Sequence, residues 1–532
     1  MKKIQIYDTT LRDGTQGEGM SLSLNDKLML AKRFDRFGID YIEGGWPGSN
    51  PKDLAFFKEA KKVKFKHAKL VAFGSTRRAN SKVANDDNIK FLLEAGTKTV
   101  TIFGKSWDFH VKEVFKTSLK ENLNMIRESI EYLKSKKLEV IYDAEHFFDG
   151  FHESPEYAIQ TIREAVKAGA DMVVLCDTNG GSLPHQIAIA VKHARKASKA
   201  PIGIHVHNDG DLAVANSIAA VEHGAIQVQG TINGYGERCG NANLTSIIPL
   251  LQLKLGLKVL PAKKLQELTE LSHYVAEVCN MPIKNNQPFT GQSAFAHKGG
   301  VHVNAMLKNS KTYEHISPSV VGNATRFLVS ELSGKSNVIL KAKEYNIHLG
   351  GTTPAHLTLG QARMKAVLAK VRELESQGYQ FEAAEASFEL LMKREFDEYK
   401  KFDFFSVKSA SVSTEEIGEG SSKSEASVQL EINGKEMDKQ TAIGDGPVDA
   451  LYKAMIKALI PSYEKQLKNI HLTDYKVRVV NPQEGTAAKV RVFIQFQDHE
   501  GNTWTTVGVD KNIIEASWQA LVDAVEYKLL KG

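Results

Sequence analysis

Cysteine is scarce in this chain: Cys176, Cys239 and Cys279 are the only three in 532 residues, and no two form a CxxC pair. Thiols so few and so far apart exclude a disulfide-built fold and offer no cysteine metal cluster; reduced thiols in a cytoplasmic protein are expected. Long apolar runs are also missing, so no segment is suited to span a membrane. No secretion signal stands before the first strand-like stretch. Charge of one sign never accumulates. Lys+Arg 69 and Asp+Glu 63 are interspersed, and the net charge of +6 comes without a basic block or aromatic-basic stripe for nucleic acid. The small positive excess suits anionic small substrates. A GxGxxG after the first strand is absent as well, which removes the main support for a doubly wound open sheet.

What is there is ordinary globular material, long enough for two or more domains. Eight short β-rich runs recur in the first half: "IQIYD", "IDYIEGG", "LVAFGS", "TVTIFG", "EVIYDAE", "MVVLCDT", "IGIHVHN" and "AIQVQGT". Amphipathic segments such as "NDKLMLAKRFDRFG" and "SPEYAIQTIREAVKAGA" lie between them, several opening on Ser, Asn or Asp and closing on Gly. Strands alternating with helices imply a parallel sheet, and eight units in about 250 residues make a closed (β/α)8 TIM barrel. The open sheet is the alternative.

In such a barrel the working residues sit at the C-terminal ends of the strands. Those ends carry Asp8 with Arg12 and Asp13, Glu43, Glu145, Asp177 with Thr178, and His205 with His207. One residue separates the two histidines, so on a strand both point to the same face. Two imidazoles and a carboxylate such as Asp13 can hold a divalent metal and leave positions open for substrate. Two merely hydrogen-bonded histidines are the bland alternative, and an amidohydrolase-type zinc site would put its HxH on the first strand, not the seventh.

After the eighth strand comes "NGYGERCGNAN". Gly234, Gly236 and Gly240 there allow close backbone approach, which would serve a CoA tail or only tight turns. Asn241 could cap the following helix, unless Asn243 does so and frees it. Cys239 reads as a small filler.

Past residue 260 the barrel rhythm stops. The expected organisation is a barrel over 1–260, a helical linker region with a lid segment over 261–401, and an α+β domain over 402–532. "MPIKNNQPFTGQ" reads as a connecting arm too polar for a core of its own. The last domain carries a degenerate repeat of strand, turn, strand and helix, a pseudo-twofold pair of ββα units. Gly444, Gly446 and Gly508, near the helix starts, would let an effector's charged ends approach the backbone.

"DTTLRDGTQ", "HVHND" and "GYGERCGNANL" resemble the signature motifs of the DRE-TIM metallolyase superfamily. "AFAHKGGVHVNAMLKNSKTYEHISP" and the C-terminal repeat resemble the 2-isopropylmalate synthase and homocitrate synthase family within it. "YIEGGWPGSNPKD" is most similar to that family's long, citramalate-forming members. The resemblance implies metal ligation by Asp13, His205, His207 and Asn241, with Mn²⁺ or Mg²⁺ and, given two histidines, Zn²⁺ or Co²⁺ as further options. It implies binding of a 2-oxo acid by Arg12 and Thr178, and catalytic parts for Arg12, Glu145, His302 and Tyr313. Glu145 and His302 both remain candidates for the general base. The implied reaction joins acetyl-CoA to pyruvate, in a homodimer inhibited by isoleucine at the head of isoleucine biosynthesis. A 2-isopropylmalate synthase, a barrel lyase or aldolase, and a catalytically dead effector-binding protein are the competing readings. Asp143 departs from the family pattern, which often has an aromatic residue or serine there. Trp46, if it reaches the pocket, would exclude a branched 2-oxo acid.

Overall fold

A computed structural model describes residues 3–328, 335–347, 354–396, 404–416 and 422–532. The boundary expected near Phe402 and the polar stretch at 417–421 lie outside the described residues. The chain divides into two compact units: residues up to 295 together with 316–324, and residues 296–315 together with 325–532.

The first unit is the expected closed barrel. Its strands are β1 Gln5–Asp8, β2 Tyr41–Gly45, β3 Lys69–Ser75, β4 Thr99–Lys105, β5 Glu139–Glu145, β6 Met172–Asp177, β7 Ile202–Val206 and β8 Gln227–Gly230. All neighbours pair in parallel, and the ring closes where β1 meets β8, with Gln5 opposite Gln227 and Asp8 opposite Gly230. The strands are covered on both faces, so β6 is buried at every position and its sequence runs apolar rather than alternating. The helices follow their caps: Ser23 and Asp26 form a capping box on Leu24–Phe37, which ends at Gly38 in the left-handed region. Between strands and helices lie fully buried side chains such as Leu30, Phe34, Ile102 and Val173, each worth roughly 1.5–3 kcal/mol of burial. A smaller cluster of Tyr7, Tyr41, Val71, Ile141, Met172, Val174 and Cys176 fills the ring itself.

The arm after residue 282, too polar for a core of its own, packs into the first unit. Phe289 and Phe295 are buried, and Gln287 Nε2 donates to Asn233 Oδ1 at 3.0 Å and to Thr290 Oγ1 at 2.9 Å. Polar side chains pack well when their partners are themselves buried.

The second unit opens with the pairing of β9 Ala296–His297 with β10 Arg326–Phe327. It continues through helices that include Gly300–Lys308, Pro354–Ser376 and Glu385–Glu395. Two sheets follow, each backed by a helix. The first contains β11 Ser406–Glu416, β12 Ser422–Ile432, β13 Lys435–Glu436 and β14 Gln440–Gly444, with helix Pro447–Leu467. The second contains β15 His471–Val479, β16 Val490–Gln497 and β17 Thr503–Asp510, with helix Ile513–Lys531. A further strand, β11 or β15, therefore leads each expected ββα unit. The glycines also act differently from expectation. A Cβ on Gly444 would stand 2.4 Å from Ala450 N, and one on Gly508 would stand 1.9 Å from the Ala516 carbonyl oxygen. Both admit the following helix, and Gly508 lies inside β17, not at a helix start. Gly446 has nothing within 4 Å of its Cβ position.

Candidate metal centre and active site

The three charged residues of the opening loop part company in the structure. Asp8 holds the turn: it accepts from Thr10 N at 3.0 Å and Thr10 Oγ1 at 2.8 Å. Burial is the main influence on it and, only partly offset by Thr10, raises its pKa to about 7. Arg12 and Asp13 instead face a cavity of about 190 Å³ at the C-terminal end of the barrel. Gln16, Trp46, Phe73, Phe103, Asp143, Glu145, Cys176, Thr178, His205, His207 and Glu237 complete its lining.

Asp13, His205 and His207 converge there, all buried, with one ligating atom from each within 4.8 Å of the others. Asp13 Oδ2 lies 3.3 Å from His205 Nε2 and 3.5 Å from His207 Nε2, and the two Nε2 atoms are 3.1 Å apart. Burial alone would raise the Asp13 pKa. Arg12, with Nη1 3.2 Å from Asp13 Oδ1, and the two histidines overcome this and hold the carboxyl well below its usual range. Burial likewise opposes a charge on His207, but Asp13 outweighs it and draws the imidazole upward.

Asn241 bridges His207 across the strand end. Asn243 caps the helix that follows, leaving Asn241 free of that task. Its Nδ2 donates to Tyr235 O at 3.1 Å, while its Oδ1 is buried without any hydrogen-bond partner. Such an orphaned acceptor costs about 1–3 kcal/mol, and a cation would relieve it. One carboxylate, two imidazoles and an amide oxygen suit a divalent ion with sites left for substrate oxygens.

The glycines of this loop serve the loop itself. A Cβ on Gly236 would lie 2.3 Å from Asn241 Nδ2, and one on Gly240 would lie 2.1 Å from the Gly234 carbonyl oxygen, both at positive φ. Cys239 is exposed, so it is no filler.

Around the centre, Arg12 Nε donates to Glu43 Oε1 at 2.6 Å, and its guanidinium lies 3.7 Å from the Phe73 ring centroid. Glu43 is fully buried and also accepts from Thr9 Oγ1 at 2.5 Å and from the Tyr7 hydroxyl. A β-bulge between Glu43 and Gly45 interrupts the β2–β3 pairing at this point. Glu43 thus orients Arg12, a part not foreseen from its place at a strand end. Thr178 accepts from His146 N at 2.9 Å through its hydroxyl and from His207 Nδ1 at 2.8 Å through its carbonyl. Glu145 pairs with Lys105, which the sequence did not single out. Trp46 lines the cavity, packed edge-on to Phe73 and Phe103, with its Nε1 donating to Asn88 Oδ1 at 2.9 Å. His302 and Tyr313 belong to the second unit, both exposed, with rings stacked 4.2 Å apart.

Residues 3–275 match the HMGL-like family, 289–378 the homocitrate synthase post-HMGL domain-like family and 382–529 the LeuA allosteric (dimerisation) domain. The (R)-citramalate synthase of Aquifex aeolicus is 54% identical over 534 residues, covering 100% of this chain and 98% of the relative. That of Geobacter sulfurreducens is 51% identical over 533 residues, covering 100% and 98%. The chain belongs to the (R)-citramalate synthase family. The 2-isopropylmalate synthase of Methanocaldococcus jannaschii is 31% identical over 532 residues, covering 99% of this chain and 95% of that relative. The two (R)-citramalate synthases named above are thus nearer in sequence than this 2-isopropylmalate synthase. Among the described residues no helix is long and apolar enough to cross a membrane.

Proposed function

We propose that the chain joins the methyl carbon of acetyl-CoA to the ketone carbon of pyruvate and hydrolyses the thioester, releasing (R)-citramalate and CoA. The observation that carries this reading is identity above 50% along the whole chain to two (R)-citramalate synthases, against 31% to a 2-isopropylmalate synthase. Asp13, His205, His207 and Asn241 would hold a divalent ion, of the Mn²⁺ or Mg²⁺ kind or a softer Zn²⁺ or Co²⁺, which would polarise the ketone as a Lewis acid. Arg12 faces the charge that grows on the ketone oxygen; in a site shielded from water, one such donor is worth about 2.7–4 kcal/mol. Glu43 keeps that guanidinium aimed. Thr178, whose hydroxyl oxygen already accepts a hydrogen bond, has its own hydrogen left to donate to the 2-oxo acid. Glu145 lines the cavity and is proposed as the base that removes the methyl proton, with Lys105 stabilising its charge. His302 and Tyr313 are assigned to the acetyl-CoA side of the reaction.

Trp46 lines the cavity, and in this reading its bulk would exclude the branched side chain of 2-oxoisovalerate in favour of pyruvate. The test is CoA release with acetyl-CoA and pyruvate, 2-oxobutyrate, 2-oxoisovalerate or 2-oxoglutarate. Pyruvate should show the highest kcat/KM; a higher value with either of the last two overturns the assignment.

The LeuA allosteric (dimerisation) match supports a homodimer with feedback control. Isoleucine is the proposed effector, because citramalate leads toward it. A cavity of about 550 Å³ lies where the two repeat halves meet, lined mainly by apolar residues that include Val448, Tyr452, Ile470, Leu472, Tyr475 and Leu521. A branched aliphatic amino acid suits that lining. Titration of the intact enzyme with isoleucine, leucine and valine decides the matter: inhibition by leucine alone would move the pathway assignment elsewhere.

A further inference from the structure

The two histidines of the metal centre are held in different ways. His207 Nδ1 lies 2.8 Å from a backbone carbonyl, that of Thr178, which any side chain at 178 would supply, and 2.7 Å from Nη2 of Arg238. His205 has no such backbone partner at Nδ1. That atom lies 3.0 Å from Oε1 of Gln229, a fully buried residue on β8 that stands opposite His205 in the β7–β8 register. The other end of the same amide, Gln229 Nε2, donates to Asp143 Oδ1 at 3.3 Å. Asp143 is itself buried, on β5. A line of side chains therefore crosses the barrel from β5 through β8 to the proposed ligand His205 on β7, and the chemistry proposed above gives no part to its first two members, Asp143 and Gln229.

The direction of this line matters. A glutamine amide has a donor end and an acceptor end, and it can turn over. A carboxylate oxygen at Asp143 favours the donor end, and Oδ1 accepts whether or not the other oxygen carries a proton. The acceptor end then faces His205, so Nδ1 must carry the imidazole hydrogen. Nε2 is left with its lone pair directed at Asp13 and His207. With the amide reversed, Gln229 would donate to Nδ1, the hydrogen would sit on Nε2, and His205 could not ligate.

We propose that Asp143 and Gln229 are positioning residues: Asp143 fixes the orientation of the Gln229 amide, which fixes the tautomer of His205 in which Nε2 is free for a divalent cation. The proposal rests on the metal reading given above. It assigns a task to Asp143, the residue that departs from the family pattern, and to a glutamine that no motif marks.

The test is Mn²⁺ affinity of the full-length enzyme without substrate, by titration calorimetry and by the paramagnetic resonance signal of the free ion. Gln229→Met keeps length and removes both hydrogen bonds; it should raise the Mn²⁺ Kd about 10–100-fold. Asp143→Leu removes the acceptor and should raise it about 10-fold, while Asp143→Asn, which can still present an oxygen to Nε2, should stay within about 3-fold of the parent. In a Gln229→Met background, Asp143→Leu should add less than about 2-fold, since the amide through which it acts is gone. Circular dichroism and melting check that each variant is folded; should Gln229→Met unfold, the Leu and Asn variants at 143 carry the test. Parent-like affinity in Gln229→Met, or in Asp143→Leu, overturns the relay. So does an Asp143→Leu effect that persists undiminished in the double variant. If the parent itself binds no Mn²⁺, Co²⁺ or Zn²⁺, the metal reading falls and the relay with it.

Discussion

Among the places in this molecule too tight for a single methyl group, two invite comparison. In the loop after β8, Gly236 lies against the side chain of Asn241 and Gly240 against the Gly234 carbonyl. In the C-terminal unit, Gly444 and Gly508 lie against the backbone of the helices that follow them. The residue type and the crowding are the same, but the neighbours differ. At Gly236 the crowded atom belongs to a polar side chain, Asn241, whose oxygen has no partner in the protein. In the repeat it belongs to a helix backbone. If Asn241 is a ligand as proposed, a glycine in a tight spot would guard function in the first case and packing in the second. Its sequence context alone does not say which.

The comparison can be pressed experimentally. The scale of the functional end is set by Asp13→Ala and His205→Ala, each expected to lower kcat/KM at least about 10³-fold, or roughly 4 kcal/mol, with the melting temperature little changed. Chelation of the parent enzyme should have the same effect and added Mn²⁺ should reverse it; full activity in metal-free enzyme would remove the basis of the comparison. Gly236→Ala should displace Asn241 and cost about 10²-fold in kcat/KM, roughly 2.7 kcal/mol, again with little loss of stability. Gly508→Ala should do the reverse. Overpacking against the Ala516 carbonyl should cost about 1–3 kcal/mol of stability, read as a lower melting temperature, while CoA release per folded molecule stays near the parent value. Equal effects of both glycine variants on melting and turnover would erase the distinction.

The smallest expected effect lies at the barrel rim, away from both sets of glycines. Burial, then the nearby His146, pushes His110 down to about 4. A histidine with a folded pKa below its unfolded value of about 6.5 binds its proton more readily when unfolded. Its contribution to stability is thus present above pH 6.5 and is lost as the pH falls toward 4. His110→Gln should flatten the stability profile across that window, and an unchanged slope in denaturant titrations would count against this account.

Much of the barrel was legible because its signal is repeated eight times, and the paired histidines were legible because a period of two puts them on one face. Asp13 and Arg12 stood out as charges at a strand end. Gln229 did not, because an amide carries no charge and no motif, and its importance arises only from what stands at each end of it. Glu43 was visible as a strand-end acid, but its hold on Arg12 is set by neighbours, Tyr7 and Thr9, that come from another part of the chain. The leading strands β11 and β15 escaped the repeat because they are largely exposed and polar, so their alternation is weak. Gly240 and Gly508 were hard to read for a different reason: a missing side chain announces a close approach without naming what approaches.

The closure of β1 on β8 has a consequence for the order of events as the chain is made. Asp13 leaves the ribosome early, whereas His205, His207 and Asn241 follow roughly two hundred residues later. If these residues hold a divalent ion as proposed, the ion would gain its full set of ligands only once the ring has shut, and there it would favour the closed ring over the open one by mass action. A chain ending at residue 240 would keep all eight barrel strands and lose one proposed ligand, Asn241.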